Sequence, residues 1–100
     1  MSSPGALLIQ SGDEQIGAAN TALPAPLAVI VVTQFGEPIS NETVTWSVQT
    51  GGGSVSSTTT LSDDAGIASV TYTTGPIAGP ATIRAQVHDV PPVTFHATIN

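Results

Sequence analysis

The sequence has no cysteine, which removes disulfides and thiolate metal sites from consideration. Lysine is also missing: Arg84 is the one formal cation against seven carboxylates, and the net charge is −6. A surface of that sign repels phosphate backbones and anionic lipid, so nucleic-acid binding and electrostatic membrane attachment are excluded. Without lysine there can be no intramolecular Lys–Asn isopeptide staple. Charged residues make up 8% of the chain, against about 25% in an ordinary soluble domain. Solubility therefore falls to Thr, Ser, Asn and Gln. No apolar run approaches the ~20 residues of a membrane helix. The opening Met1-Ser2-Ser3-Pro4-Gly5 has neither the basic start nor the apolar run of a signal peptide. Residues 1–5 read as a linker or appended residues, and 6–100 as one domain.

What is present is period-2 alternation. Val44, Trp46 and Val48 share one face of a run whose other face is Thr43, Thr45 and Ser47, the pattern of a half-buried strand. Before it, Leu27, Val29 and Val31 share a parity, and Phe35-Gly36-Glu37-Pro38 between the two runs is turn chemistry. Alternation returns at Ala68, Val70 and Tyr72, at Ala81, Ile83, Ala85 and Val87, and at Val93, Phe95, Ala97 and Ile99. Short runs at Ala6–Gln10, Gln15–Ala19, Ser54–Ser57 and Thr58–Ser62 add weaker strands, and no window carries a helical period. Turn signals every 8–12 residues predict an all-β sandwich of about seven antiparallel strands in two sheets. Its expected core is Leu27, Val29, Val31, Val44, Trp46, Val48, Val70, Tyr72, Ile83, Val87, Val93 and Phe95.

Few residues could carry chemistry. His88-Asp89 with a serine could be written as a triad, but no Gly-x-Ser-x-Gly elbow exists and no acid, base and nucleophile converge. No catalytic residue and no cofactor is expected. If the last hairpin turns at Asp89-Val90-Pro91, Arg84 faces His96 and Gln86 faces Thr94, which keeps the two histidines apart. The paired carboxylates are Asp13-Glu14 and Asp63-Asp64. Asp63 and Asp64 are the only calcium candidates, but they fall short of the six to eight oxygen ligands calcium takes. An Asx turn closing at Gly66 explains them without metal. Asn41-Glu42-Thr43 matches a glycosylation sequon and reads as a turn before a strand. Ile30, Val32 and Ile67 point outward by parity. They are either covered by the Ala6–Ala19 segment, or incidental, or an interface.

The ordered pieces Ser11-Gly12-Asp13-x-Gln15-x-Gly17, Leu23-Pro24-x-Pro26-Leu27-x-Val29-x-Val31, Gly36-x-Pro38-Ile39 and Val44-Thr45-Trp46 resemble the bacterial Ig-like domain group 1 repeat of intimin- and invasin-type surface proteins. Gly51-Gly52-Gly53-Ser54-Val55, Asp63-x-x-Gly66-x-Ala68 and Pro92-Val93-x-Phe95-x-Ala97 continue the likeness, which runs from about Leu7 to Ile99. The resemblance implies an Ig-like sandwich, strung in tandem on a bacterial surface as a non-catalytic rigid spacer for a distal binding domain. Its partners would be neighbouring repeats, the isolated domain being a monomer with its ends at opposite poles. The alternative is a module that binds a glycan or host protein through the loops Gly51–Gly53, Asp63–Gly66 and Gly75–Pro80. Two positions depart from the family pattern: Thr33 stands where many repeats have Asp, and Asn20 where Gly is common.

Overall fold

The computed structural model describes residues 4–88 and 90–100. Ten short strands follow one another: β1 (Ala6–Ser11), β2 (Gln15–Gly17), β3 (Leu27–Val32), β4 (Thr43–Thr50), β5 (Ser54–Val55), β6 (Thr59–Leu61), β7 (Ile67–Val70), β8 (Tyr72–Thr73), β9 (Gly79–Gln86) and β10 (Val93–Ile99). They form a three-stranded sheet β1-β3-β7, a five-stranded sheet β2-β10-β9-β4-β6 and a two-stranded β5-β8 ribbon. The fold is an all-β, Ig-like sandwich. Ten strands stand against the expected count of about seven: all nine alternating and short runs of the sequence form strands, and one of them is divided. Ala68–Thr73 is divided at Thr71: β7 pairs with β3, whereas β8 pairs with β5. The runs at Ala6–Gln10 and Gln15–Ala19 form β1 on one sheet and β2 on the other.

The passage of the chain from β1 to β2 introduces the one departure from antiparallel pairing among the described strands: β2 runs parallel to β10, with Gln15 opposite Ala97 and Gly17 opposite Ile99. The crossing is built from local chemistry. The β1–β3 register slips between Ile9 and Ser11, a bulge that bends the strand away from its sheet. The Asp13 carboxylate then accepts the His96 N–H at 2.8 Å, and the Glu14 N–H donates to the His96 carbonyl at 2.7 Å. The Gln15 amide donates to the carbonyls of Gly12 (2.7 Å) and Ala25 (2.8 Å) and accepts the Ala25 N–H (3.1 Å). That one side chain supplies the partners that the Pro24-Ala25-Pro26 connector cannot find in a ladder.

Between the sheets, Leu27, Val29, Val31, Val44, Trp46, Val70, Tyr72, Ile83, Val87 and Phe95 are buried, while Val48 and Val93 are half-buried and pack on the rim of this cluster. Trp46 and Phe95 stack tilted at 38°, with centroids 5.8 Å apart. The indole N–H is satisfied by Thr60 Oγ1 at 2.8 Å, as burial of a Trp requires. Leu7, Leu23, Ile39 and Val90 complete the core from outside the expected set.

Two expectations need correction. Arg84 lies opposite Thr94 and Ser47, and His96 lies opposite Thr82, so the β9–β10 register is two residues away from the Arg84–His96 pairing. Gln86 correspondingly has no partner on β10 and pairs with Thr45 of β4. The cause is Val90, which is buried together with Val87 and donates its N–H to the Val87 carbonyl at 3.2 Å. Burying both valines draws the bend toward the N-terminal side of the connection. Second, Val32 does not face solvent: it is buried, paired to Ala6 on one side and bridged to Pro38 on the other. Ile30 and Ile67 are half-buried and sit opposite one another, with Leu8 on the far side of Ile30. β1 therefore lies beside β3 in the same sheet and does not cover its outer face.

Strand directions place the chain ends at opposite poles. Gly5 donates its N–H to Val32 at the end of β3, beside the Thr33–Pro38 turn. Asn100 donates to the Gly17 carbonyl, where Ile99 pairs with Gly79 at the start of β9. The body measures 43 × 20 × 19 Å. No helix among the described residues is long and apolar enough to cross a membrane.

Candidate functional site

The sequence left the loops as the places where function could sit, and the strand order sorts them. The entry pole gathers the turns Thr33–Pro38 and Asp63–Gly66. The exit pole gathers Gly51–Gly53 and Gly75–Pro80. The three loops named above as one end-loop set are therefore divided. A Cβ on Gly75 would lie 2.6 Å from the Gly51 carbonyl, whereas a Cβ on Gly66 would meet Val31, Pro38 and Ile39 at the other pole.

The entry pole is held by side chains that cap backbone. Thr33 Oγ1 accepts the N–H groups of Phe35 and Glu37, each at 3.2 Å. A carboxylate at that position would cap the same turn, so threonine does the work here without the charge. The Asp63 carboxylate accepts the N–H groups of Ala65 (2.9 Å) and Ile67 (3.0 Å) through one oxygen. That is the Asx-turn arrangement, and it commits the carboxylate to its own backbone. The buried Ser62 hydroxyl donates to the Ile39 carbonyl at 2.6 Å and accepts the Glu42 N–H at 2.9 Å. Asp64 is exposed beside it. Among the described residues no three His, Cys, Asp or Glu side chains come together as a metal site.

The exit pole is closed by backbone lying on backbone. Gly53 has φ +85°, and a Cβ there would sit 2.2 Å from the Thr73 carbonyl. The Tyr72 hydroxyl crosses from the core to donate to the Gly52 carbonyl at 2.6 Å, and burial pushes the Tyr72 phenol above its usual pKa by desolvating the phenolate. The buried Thr74 hydroxyl donates to the Ala18 carbonyl at 2.6 Å, with the Thr21 carbonyl at 3.1 Å, and accepts the Thr21 N–H at 3.0 Å. Asn20 takes φ 56°, a left-handed conformation that asparagine tolerates better than most residues. This is why Asn can replace the common Gly at that position. Between the two loops lies a cleft of about 340 Å³, lined by Gly51, Gly52 and Pro76–Pro80, with Ile77 on its rim at 74% exposure.

The sequence-level chemistry candidates do not assemble. His96 and Asp13 are neighbours across β10 and the β1–β2 turn, with Nδ1 and Oδ1 3.9 Å apart, but the closer bond of that carboxylate is to the His96 backbone. His88 is exposed at the entry pole, and Asp89 lies outside the described residues. Sequence reasoning missed the half-buried Gln15 and the buried Ser62 and Thr74 as polar clamps. Gln15 alone had a signal, its place in the Ser11-Gly12-Asp13-x-Gln15 motif.

Solved structures share this architecture. The C-terminal 282-residue fragment of intimin, in complex with the intimin-binding domain of the translocated intimin receptor, matches at 25% identity and TM-score 0.73, over 98% of this chain and 33% of that one. The D0-D1 domain of intimin matches at 27% identity and TM-score 0.64, over 89% of this chain and 45% of that one. The Yersinia pseudotuberculosis adhesin InvE shares the fold at 18% identity and TM-score 0.71, over 94% of this chain and 31% of that one. The chain thus spans less than half the length of each. No curated protein matches it. The family model of the bacterial Ig-like domain (group 1) covers residues 11–99, and with the sandwich topology and the Ser11–Gln15 strand crossing already described, the chain belongs to that family.

Proposed function

We propose that the domain is a non-catalytic spacer repeat of a bacterial surface adhesin, holding a more distal domain away from the cell. The observation that carries this reading is the separation of the chain ends. The backbone enters beside Thr33 and leaves beside Gly17, at opposite poles of a body 43 Å long. Copies joined end to end therefore add length with each repeat and do not fold back. The load path suits the task. A pull at both ends acts along β1 against β3 and along β2 against β10, so the ladder bonds are strained together and not one at a time. The neighbouring structures support this reading, since InvE is an adhesin and the intimin fragment is bound to the intimin-binding domain of a receptor.

Ligand binding through end loops is the lesser reading, because the Asp63–Gly66 turn lies at the pole away from the other two loops. X-ray scattering from one, two and three fused copies tests the spacer. The maximum dimension is expected to grow by about the 43 Å domain length per copy. A compact, folded-back envelope for the fused copies would overturn it.

A further inference from the structure

The two poles carry complementary apolar features. Phe35 stands at the tip of the entry-pole turn, 80% exposed. The exit pole offers the Gly51–Gly52/Pro76–Pro80 cleft, with Ile77 on its rim. The charges are as unequal as the shapes. Glu37, Glu42, Asp63 and Asp64 cluster at the entry pole, whereas Gly17–Leu23, Gly51–Gly53 and Thr73–Pro80 contain no charged side chain. Two entry poles brought together would oppose eight carboxylates, and two exit poles would offer no knob. Entry pole against exit pole avoids both penalties.

We propose that the exit-pole cleft is the docking site for the entry-pole turn of the following copy of this domain, with Phe35 of that copy seated against Ile77. The inference rests on the spacer reading and deepens it by making the joint between repeats stiff. The chain path supports this occupant. Gly5 packs so closely on the Thr33–Phe35 turn that a Cβ there would lie 2.3 Å from the Gln34 nitrogen. Asn100 is held at the Gly17 carbonyl beside the strand start that lines the cleft. The contact is heterologous, so it repeats along an array without closing.

The chain's lack of cysteine makes the test specific. In a fusion of two copies, Ile77→Cys in the first and Phe35→Cys in the second should form an intramolecular disulfide on mild oxidation, seen as a mobility shift on a non-reducing gel. The exchanged placement, Phe35→Cys in the first copy and Ile77→Cys in the second, should not. Without cysteines, Phe35→Ser in the second copy should lower the fusion's melting temperature by about 2–4 °C, toward that of the single domain. The same change in the first copy should leave it in place. Equal cross-linking in both placements, none in either, or no dependence of melting on which copy is changed would overturn the docking. Scattering from the same fusion separates the two ideas. An extended envelope without selective cross-linking removes the docked joint and leaves the spacer, and a folded-back envelope removes the spacer itself.

Discussion

The two poles of this sandwich use side-chain caps and close-packed glycines in different proportion. Each holds a buried hydroxyl, on Ser62 and on Thr74. Gly5 and Gly66 pack tightly at the entry pole, but the exit pole sets Gly51, Gly53 and Gly75 against their neighbours. At the entry pole, side chains of Thr33, Ser62 and Asp63 reach back to cap backbone N–H and carbonyl groups. At the exit pole, glycine backbone rests on neighbouring backbone with no room for a Cβ: a Cβ on Gly53 would lie 2.2 Å from the Thr73 carbonyl and one on Gly51 2.5 Å from Ala81 Cβ. A capped turn depends on a few replaceable hydrogen bonds. A backbone-packed end depends on absent atoms, and no rotamer change restores the space once a side chain is added.

The largest expected effect abolishes the contrast. Trp46 lies between the poles, fully buried, stacked on Phe95 and bonded to Thr60. Trp46→Ala should cost about 3–5 kcal/mol, a large share of the ~5–15 kcal/mol of an ordinary domain. Urea unfolding should show both poles lost in one transition at a much lower midpoint. A midpoint close to that of the unchanged protein would mean that the indole is not the keystone.

The next effect separates the poles. Gly53 and Gly36 have the same φ, +85°, but the Gly36 position has nothing within 4 Å of a Cβ. Gly36→Ala should cost only the left-handed backbone term, about 1–2 kcal/mol. Gly53→Ala adds a forced backbone displacement of about 1–3 kcal/mol, for a total of about 2–5 kcal/mol. Equal losses from the two substitutions, measured by urea unfolding, would erase the distinction.

Much of this architecture was legible because burial imposes period 2. The alternation around Trp46, Tyr72, Ile83 and Phe95 puts their side chains in the core wherever the strands pair. Pairing itself was less legible. The parallel β2–β10 contact depends on Asp13 capping an N–H 83 positions further along the chain, and no local pattern encodes such a distance. The last hairpin's register turned on Val90, whose place in a Pro-rich bend gave it no strand parity to read. Thr74 belongs to no alternating run or motif, yet its hydroxyl is buried and bonded to Ala18 and Thr21. The candidate site was legible only as a set of loops, because which loops share a pole is a property of strand direction.

A third comparison matches the two buried hydroxyls. Thr74→Val strands the Ala18 carbonyl and the Thr21 N–H at the exit pole, and Ser62→Ala strands the Ile39 carbonyl and the Glu42 N–H at the entry pole. Each should cost about 1–3 kcal/mol. Near-equality is expected here, since both positions use one hydroxyl to satisfy two backbone groups. A loss at one pole only would show that water satisfies the other.

The smallest expected effect belongs to the exit pole alone and appears only in alkali. Tyr72 is the single tyrosine, and the chain has neither lysine nor cysteine. No other side chain therefore titrates between about pH 8.5 and 12. Burial raises the Tyr72 pKa above the usual value of about 10, so the folded state keeps its proton where the unfolded state gives it up. The stability tied to the neutral phenol is complete below about pH 10 and is lost as pH rises through the folded value. Urea midpoints measured from pH 8 to 11.5 should fall at the alkaline end for the unchanged protein. With Tyr72→Phe the curve should be flat over that range, at a uniformly lower level set by the lost bond to Gly52. An alkaline fall that persists in the phenylalanine variant would place its cause in the backbone ends and not in this phenol.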